Sequence, residues 1–267
     1  MVETHLAAHQ RALAVMFAVA VLATTTVGGS AWAQTPLRID PGIIDPRGLA
    51  WDGSHFWIIG GEHPRLYAID PDTGDAEREI DLSPLGLRKP MVIAWQQSDR
   101  TFWLGDDGTR RIYKFEVVTT NPYVNLVRSF SAPDEDLNEI VMTGLAWDGR
   151  QGRTEGLWLC TSMGLCTTIR KLEAERGDIL LSFYPVCAPR GLAILGDTLW
   201  TVALGDGLIP SRLMAFDIED DDWTRIKASR QAGWVVAADR LARLAVKDQN
   251  PWLLDSKAKK LFPVNPD

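Results

Sequence analysis

The chain has 267 residues, of which 24% are charged and 46% hydrophobic, and its formal net charge at pH 7 is −7. This composition is ordinary for a folded globular protein and argues against extended disorder or low-complexity sequence. The negative charge argues against nucleic acid or an anionic membrane surface as a partner, because both require a clustered positive face.

The N-terminal segment has the pattern of a secretory signal peptide. Arg11 supplies a weakly basic start, residues 12–27 are almost wholly apolar, and Ala31-Trp32-Ala33 fits a small-x-small cleavage site. The alternative is a retained membrane anchor, but the apolar run is short for a span of about 20 residues. We expect a cleaved signal peptide at 1–33, one mature domain at 34–267, a periplasmic or extracellular location, and no stable membrane insertion after cleavage.

A repeated motif begins shortly after this segment. The string RGLAWDG at 47–53 returns as TGLAWDGR at 143–150 and, in shorter form, as PRGLAIL at 189–195. The degenerate copies VIAW and RLAV raise the number of units to five. The aligned alanines, which lie 44 to 52 residues apart, are Ala50, Ala94, Ala146, Ala193 and Ala245.

Each unit continues with signals for further short strands. A tryptophan follows each alanine after 7 to 12 residues, at Trp57, Trp103, Trp158, Trp200 and Trp252. A run that alternates at period two comes next, as in RLYAID at 65–70, and alternation of this kind is typical of a half-buried strand. A fourth strand is predicted in four units, at 78–82, 125–130, 179–184 and 223–228. Four short strands in a unit of this length are typical of a β-propeller blade.

The fifth unit lacks a fourth strand, and the N-terminus supplies a candidate for it. PLRIDPGIID at 36–45 resembles REIDLSPLGL at 78–87, where the first blade has its fourth strand. Adding this strand to the last blade closes the ring, which removes the exposed sheet edges of an open one. We therefore predict an all-β fold, a five-bladed β-propeller of four-stranded antiparallel blades. Its predicted blades are 47–84, 90–132, 142–185, 189–229, and 242–267 together with 36–42.

The recurring aromatic and acidic residues have structural explanations. One tryptophan at the same place in every blade is expected to fill the wedge between neighbouring sheets, with an aromatic ligand cage as the alternative. Asp52-Gly53 and Asp148-Gly149 follow the first strand of their units. Asp-Gly is a hairpin signal, so a turn is the expected role of both aspartates.

Ligand-contacting residues are expected in the unlike loops at one end of the central channel. The candidate ligand-binding residues in these loops are Arg47, His63, Asp107, Arg110, Arg190 and Asp206, with Lys89 nearby. Glu62 and Asp106 are the candidate catalytic carboxylates. Asp106, Asp206 and Asp255 recur just beyond the second strand, which favours carboxylates that accept backbone N–H bonds in a turn.

Metal binding is not predicted from these residues. Ca²⁺ or Mg²⁺ needs several oxygen ligands that converge on one point, and these carboxylates belong to different blades. We therefore expect no cofactor, with Ca²⁺ or Mg²⁺ as the alternative. Only His55 and His63 remain after residue 33, and this composition argues against a histidine-rich zinc site. The acidic run at 217–222 lacks the glycine and distal glutamate of an EF-hand and is interpreted as a solvated turn.

Export would allow disulfide formation, and three cysteines leave one thiol over. Cys166 and Cys187 are predicted to face each other across a hairpin, and Cys160 with Cys166 is the alternative pair. The first pair closes the larger loop, which stabilises more in the chain-entropy model.

The pattern GLAWDG…LW…RLYAID-P-x-TG resembles the secreted propellers of the glutamine cyclotransferase (glutaminyl cyclase) family over most of residues 36–267. It also broadly resembles lactonase-type and NHL-type propellers. The resemblance implies a five-bladed propeller. The family's catalytic strings are not matched: where it has a glutamate just after the second-strand aromatic of the first blade, this chain reads Phe56-Trp57-Ile58-Ile59, with no acid until Glu62.

Two functions remain open at this point. The first is an exported scaffold that binds a small molecule, peptide or protein at the channel mouth, because every recurring polar residue has a structural role and function on this fold resides in unlike loops. The alternative is a glutaminyl-peptide cyclotransferase-like or lactonase-like enzyme that uses channel-mouth carboxylates as general acid or base.

Overall fold

The computed structural model describes residues 36–121, 123–133, 140–163, 166–185, 189–203, 211–218, 228–236 and 243–264. The predicted signal peptide lies outside these residues. No helix within them has the length and apolarity needed to cross a membrane. In chain order the strands are β1 (Leu37–Arg38), β2 (Arg47–Trp51), β3 (Phe56–Gly60), β4 (Arg65–Ile69), β5 (Ala76–Asp81), β6 (Pro90–Gln96), β7 (Thr101–Asp106), β8 (Arg111–Val117), β9 (Val124–Ser131), β10 (Val141–Asp148), β11 (Gly156–Met163), β12 (Cys166–Glu173), β13 (Ile179–Phe183), β14 (Pro189–Leu195), β15 (Thr198–Ala203), β16 (Ser211–Asp217), β17 (Ala228–Val236), β18 (Arg243–Lys247), β19 (Asn250–Asp255) and β20 (Lys260–Pro263).

These strands form five antiparallel four-stranded sheets. Blade 1 is β2–β5, blade 2 is β6–β9, blade 3 is β10–β13 and blade 4 is β14–β17, each in simple up-and-down order. Blade 5 has the order β1-β20-β19-β18, with Leu37 opposite Leu261. The N-terminal strand therefore completes the last blade, and the predicted five-bladed propeller is confirmed.

The first strand of each blade, called the inner strand here, lines the central axis. The inner strands β2, β6, β10, β14 and β18 contact one another in that order, and β18 returns to β2. In β2, β6, β10 and β14 the pairing register shifts near the start of the strand, which is the mark of a β-bulge. Bulges of this kind bend the strand at the rim of the channel.

The inner strands approach each other so closely that glycine is required between them. A Cβ on Gly144 would lie 2.8 Å from the carbonyl carbon of Gly191, and a Cβ on Gly191 would lie 2.7 Å from the backbone nitrogen of Leu244. Gly191 also has a φ of 67°, which other residues rarely adopt. The repeat motif therefore has glycine at this position because the narrow channel leaves no room for a side chain.

Apolar side chains fill the wedges between the blades. Five buried clusters are present in the described part of the chain, and the repeated tryptophans belong to them. Trp103 and Trp158 are fully buried, and the ring of Trp103 stacks on Trp147 of the next blade with centroids 6.0 Å apart. The predicted packing role of these tryptophans is confirmed.

The outer strand of blade 4 differs from its predicted position. The sequence places it at 223–228, whereas β17 runs from Ala228 to Val236 and pairs with β16 through Phe216 opposite Ala228. Outer strands are solvated and bonded on one edge only, so their hydrophobic alternation is the weakest in a blade.

The acid of the WDG motif joins the inner strand to the second strand. Asp52 accepts a hydrogen bond from the Trp57 indole N–H at 2.6 Å and two more from the backbone N–H groups of Ser54 and His55. Asp148 accepts from the Trp158 indole N–H at 3.0 Å. The turn role predicted for both aspartates is present, and each also anchors the tryptophan of its own blade.

Other blades have a different residue at the position of Asp52 and Asp148, two residues after the aligned alanine. In blade 2 the Gln96 side-chain oxygen accepts from the Trp103 indole at 2.8 Å. In blade 4 the aligned residue is Leu195, and the buried Trp200 indole N–H has no hydrogen-bond partner among the described residues. An unsatisfied buried donor costs about 1–3 kcal/mol, so blade 4 lacks a stabilising contact that blades 1 to 3 possess.

Blade 3 adds buried charges to this contact. The Asp148 carboxylate is fully buried, with the Lys171 ammonium 3.0 Å away and the Arg150 guanidinium 2.8 Å away. Burial alone would raise the pKa of Asp148, but the hydrogen bonds from Arg150, Trp158 and Lys171 outweigh it and lower the pKa from 3.8 to about 2. The ionised carboxylate therefore stabilises the folded state.

We expect Asp148→Asn to lower the free energy of unfolding by about 3–5 kcal/mol at pH 7, because the carboxylate facing the buried Lys171 ammonium is lost. A folded pKa below the unfolded value means that the stabilisation is complete above about pH 4 and disappears as the pH falls through about 2. The difference in the free energy of unfolding between wild type and variant should therefore shrink as the pH falls from about 4 to about 2, and urea unfolding at a series of pH values measures it.

Asp52→Asn is the matched control. It occupies the same place in blade 1, where the residue opposite Trp57 is Ala68 and not a lysine. We expect a smaller loss of about 1–3 kcal/mol, since the single asparagine oxygen can accept from the indole or from the backbone N–H groups but not from both. Equal losses in the two variants would contradict the assigned role of the Lys171 pair.

Candidate functional site

Three arginines from three blades meet at the end of the channel where the inner strands begin, called the channel mouth here. Arg47 begins β2, Arg190 is the second residue of β14, and Arg243 begins β18. Arg47 and Arg190 stand three residues before the aligned alanine of their units. Their half-buried side chains lie beside the rim glycines Gly48 and Gly191.

Arg243 occupies a different position in the repeat. It stands two residues before the aligned alanine, where blades 1, 3 and 4 have the glycine that the narrow channel requires. Its side chain is only 3% exposed, and its Nε donates to the Met91 carbonyl oxygen at 3.4 Å. Blade 2 is not a neighbour of blade 5 in the ring, so this side chain crosses the channel and narrows it.

The three arginines of the channel mouth lie close enough for their positive charges to affect one another. Burial, and then the positive charges of Arg190 and Arg47, lower the pKa of Arg243 to about 10, while Asp107 opposes the shift. Burial also lowers the pKa of Arg190. Both guanidiniums stay charged at neutral pH but are poorly solvated, which favours the binding of a counter-charge.

Arg190 has few protein partners at this site. Its one hydrogen bond in the described part of the chain goes from Nη1 to the Pro189 carbonyl oxygen at 3.2 Å. A guanidinium carries five N–H donors. Arg47 is better satisfied, because it donates to the carbonyls of Pro90 and Gly61 and pairs with the exposed Asp45 at 3.1 Å.

Asp107 is the acid of the channel mouth. Its side chain is 5% exposed, and Oδ1 accepts the Met142 backbone N–H at 2.8 Å. Oδ2 has no hydrogen-bond partner among the described residues, and the Lys89 ammonium lies 3.7 Å from it. Burial raises the pKa of Asp107 despite the hydrogen bond from Met142 and the charge of Lys89.

Asp106, one residue earlier, has a different environment. It is fully buried and accepts the backbone N–H groups of Arg88, Lys89 and Gly108 at 2.7, 2.6 and 2.9 Å. Asp255 accepts from the backbone of Lys257 and Ala258 in the same way. The turn role predicted from the recurrence of these acids is present at both positions.

The remaining predicted residues lie apart from the arginines or outside the description. Glu62 and His63 are exposed on the turn between β3 and β4, and Arg110 is half-buried in the turn between β7 and β8. Asp206 lies outside the described residues. The structure thus brings Arg47, Arg190 and Asp107 to one site. Sequence reasoning missed Arg243, although an arginine in a column of glycines was a visible signal.

The cysteine predictions stay open. Cys160 is buried near the channel mouth, with the Thr143 hydroxyl 3.0 Å from its sulfur. The side chain of Cys166 and all of Cys187 lie outside the described residues, so the Cys166–Cys187 disulfide and its Cys160–Cys166 alternative remain predictions. The described ranges contain no group of three or more His, Cys, Asp or Glu side chains placed to hold a metal ion.

Together the ring of blades and the channel mouth define the class of the protein, a five-bladed β-propeller with a polar site at one end of its channel. Its fold is similar to that of the glutaminyl cyclase of Myxococcus xanthus, with a TM-score of 0.58 and 14% identity over 86% of this chain and 94% of that chain. This agrees with the resemblance predicted from the repeat.

Other solved propellers are similar to a comparable degree. A luciferin-regenerating enzyme matches with a TM-score of 0.55 and 12% identity over 87% of this chain and 77% of that chain. A chain of the nidogen/laminin complex matches with a TM-score of 0.53 and 16% identity over 82% and 75% of the two chains. No protein-family model matches the sequence, and no curated protein matches it. At such identities the likeness concerns the fold alone.

We expect Asp107→Asn to make the protein more stable relative to wild type as the pH rises from 3 to 7. A folded pKa above the unfolded value means that ionisation of Asp107 destabilises the fold, and this penalty is absent at low pH and complete above the folded pKa. Asparagine stays neutral and can still accept the Met142 N–H. Urea unfolding at a series of pH values measures the difference.

Asp106→Asn serves as the neighbouring control. Both Asp106 oxygens accept backbone N–H groups, so replacing one with an amide nitrogen should destabilise the fold by about 1–3 kcal/mol at pH 7. If Asp107→Asn also lost stability at pH 7 and matched wild type at pH 3, the raised pKa of Asp107 would be wrong.

Proposed function

We propose that this protein is an exported binding scaffold whose channel mouth takes a small organic anion. The observation that carries the proposal is Arg190, a half-buried guanidinium with one hydrogen bond to the described protein, in the field of two further arginines. Because these cations are partly removed from water, an anion between them replaces lost hydration with direct charge-assisted hydrogen bonds.

A carboxylate fits this site well. The planar guanidinium fork matches the two oxygens of a carboxylate, and such bidentate pairs are stronger than single hydrogen bonds. Arg190 and Arg47 come from blades 4 and 1, which blade 5 separates in the ring, so a ligand with two carboxylates can engage both. Arg243 supplies positive charge from below while its side chain closes the channel.

Asp107 favours a ligand that also carries a hydrogen-bond donor. Its buried Oδ2 has no described hydrogen-bond partner, and such an oxygen accepts readily from a hydroxyl, amide or ammonium group. A ligand that combines carboxylate with such a donor would satisfy both sides of the site. The arginines and Asp107 would then each make a direct hydrogen bond to the ligand.

Succinate is the probe for this proposal. We expect calorimetric titration at low ionic strength to show saturable binding, and Arg190→Met to weaken it about tenfold or more through loss of charge-assisted hydrogen bonds. Arg38→Met is the control, because Arg38 is exposed on β1 and its loss changes the net charge equally. Absence of succinate binding, or equal weakening by both variants, would contradict the proposal.

An enzyme at the same site is the second candidate, and Asp107 is the observation that favours it. A buried carboxylate with a raised pKa and an unpartnered oxygen is the type of group that acts as general acid or base. It is better placed for this role than the exposed Glu62 or the backbone-bonded Asp106.

A glutaminyl-peptide cyclotransferase-like activity, as in the Myxococcus enzyme, would release ammonia from an N-terminal glutaminyl peptide. If the chain catalyses this reaction, we expect release above the buffer rate that Asp107→Asn abolishes. Release at the buffer rate would leave the binding scaffold as the function. Elemental analysis of the purified protein tests the lactonase-like alternative, which depends on a bound metal.

A further inference from the structure

The channel has a second cavity at the end opposite the arginines, where the inner strands turn into the second strands. Its volume is about 140 Å³, and all five inner strands line it. Three consecutive residues come from each strand, such as Leu49, Ala50 and Trp51 from β2. None of the lining side chains is charged. This end of the channel therefore differs from the arginine-lined mouth in both polarity and size.

The rim of this cavity is asymmetric. The residues that follow the aligned alanines are Trp51, Trp95, Trp147, Ile194 and Val246, and all five are half-buried. Tryptophans thus occupy blades 1 to 3, and smaller aliphatic side chains occupy blades 4 and 5. Each of these indoles also packs on a neighbouring aromatic ring, Trp51 on Phe56, Trp95 on Phe102 and Trp147 on Trp103, and the Lys247 ammonium lies 5.4 Å from the Trp51 ring centroid. The parts of the indoles that stay exposed favour contact with another aromatic ring, which gains about 0.5–1.5 kcal/mol beyond its burial.

A constriction separates this cavity from the channel mouth. Between them lies a void of about 10 Å³, lined by Gly48, Gly144, Gly191, Arg243 and their neighbours. A void needs about 10–15 Å³ to hold a single water molecule, so no organic ligand fits through it. The two ends of the channel are therefore independent sites.

The size and chemistry of the cavity define its ligand. An apolar cavity of about 150 Å³ in another protein accommodates benzene, so a single ring fits a space of this volume. The inner strands are edge strands, paired on one side only, so backbone N–H and C=O groups on their other edge face the axis. These groups can bond a hydroxyl or ring N–H that the ligand carries.

We propose that this cavity binds a small uncharged aromatic molecule with one hydrogen-bonding group, of the phenol or indole type. The aromatic rim contacts the ring, the strand edges bond its polar group, and the lack of charged lining excludes an ion. This site goes beyond the proposed anion-binding function and does not depend on it.

Phenol is the probe, observed by saturation-transfer NMR and by the change in tryptophan fluorescence. We expect saturable binding to the full mature chain, and Val246→Trp to weaken it at least tenfold by filling the gap in the rim. Val127→Trp is the matched control, because Val127 is 47% exposed on the outer strand β9 and far from the channel axis. It should bind phenol as wild type does.

Four further measurements make the outcome decisive. Ile194→Trp fills the rim from blade 4 and replaces Val246→Trp if that variant does not fold, as judged by its melting curve. Arg190→Met should leave phenol binding unchanged, and Val246→Trp should leave succinate binding unchanged, so failure of one site is distinguishable from failure of the other. Cyclohexanol should bind at least fivefold more weakly than phenol, because it lacks an aromatic face.

The proposal is overturned by any of three results. These are the absence of saturable phenol binding, equal phenol affinity in the rim-filling variants and in Val127→Trp, and equal affinity for cyclohexanol and phenol.

Discussion

Five inner strands share one narrow axis, and most of the structure depends on how closely they approach. At Gly144 and Gly191 the neighbouring backbone lies within 2.8 Å of the position that a Cβ would take. Sheets that meet so tightly at the axis must diverge toward the outside, so large side chains are needed farther out. The repeated tryptophans fill those wedges, and the acid or amide at the end of the inner strand orients their indole N–H groups in blades 1 to 3.

The same constraint explains why the two ends of the channel have different chemistry. Arg243 stands where three blades have glycine, and its side chain crosses the axis to Met91. It divides the channel into the arginine-rich mouth at one end and the cavity at the other end, which has no charged side chain in its lining and is rimmed by tryptophans. One departure from the repeat thus separates the two proposed sites, while the other repeated residues serve packing.

Asp107 shows how neighbouring residues with the same side chain acquire different chemistry. Both oxygens of Asp106 accept hydrogen bonds from backbone N–H groups, which stabilises the turn. Asp107, one residue later, accepts the Met142 N–H of the next blade and keeps one buried oxygen without a partner among the described residues. Burial without full satisfaction raises its pKa, which is the property that a binding or acid–base role requires.

The amino-acid sequence by itself determined the number of blades, the closure by the N-terminal strand, the packing role of the tryptophans and the turn role of Asp52 and Asp148. Each of these rests on a local pattern that the chain repeats, so the signal accumulates over five copies. Only the tertiary structure decided which unlike residues meet. Arg243 and Met91 are 152 positions apart, and their contact depends on ring closure, which no local pattern contains. The position of β17 was likewise set by its register with β16, because a solvated outer strand carries little pattern of its own.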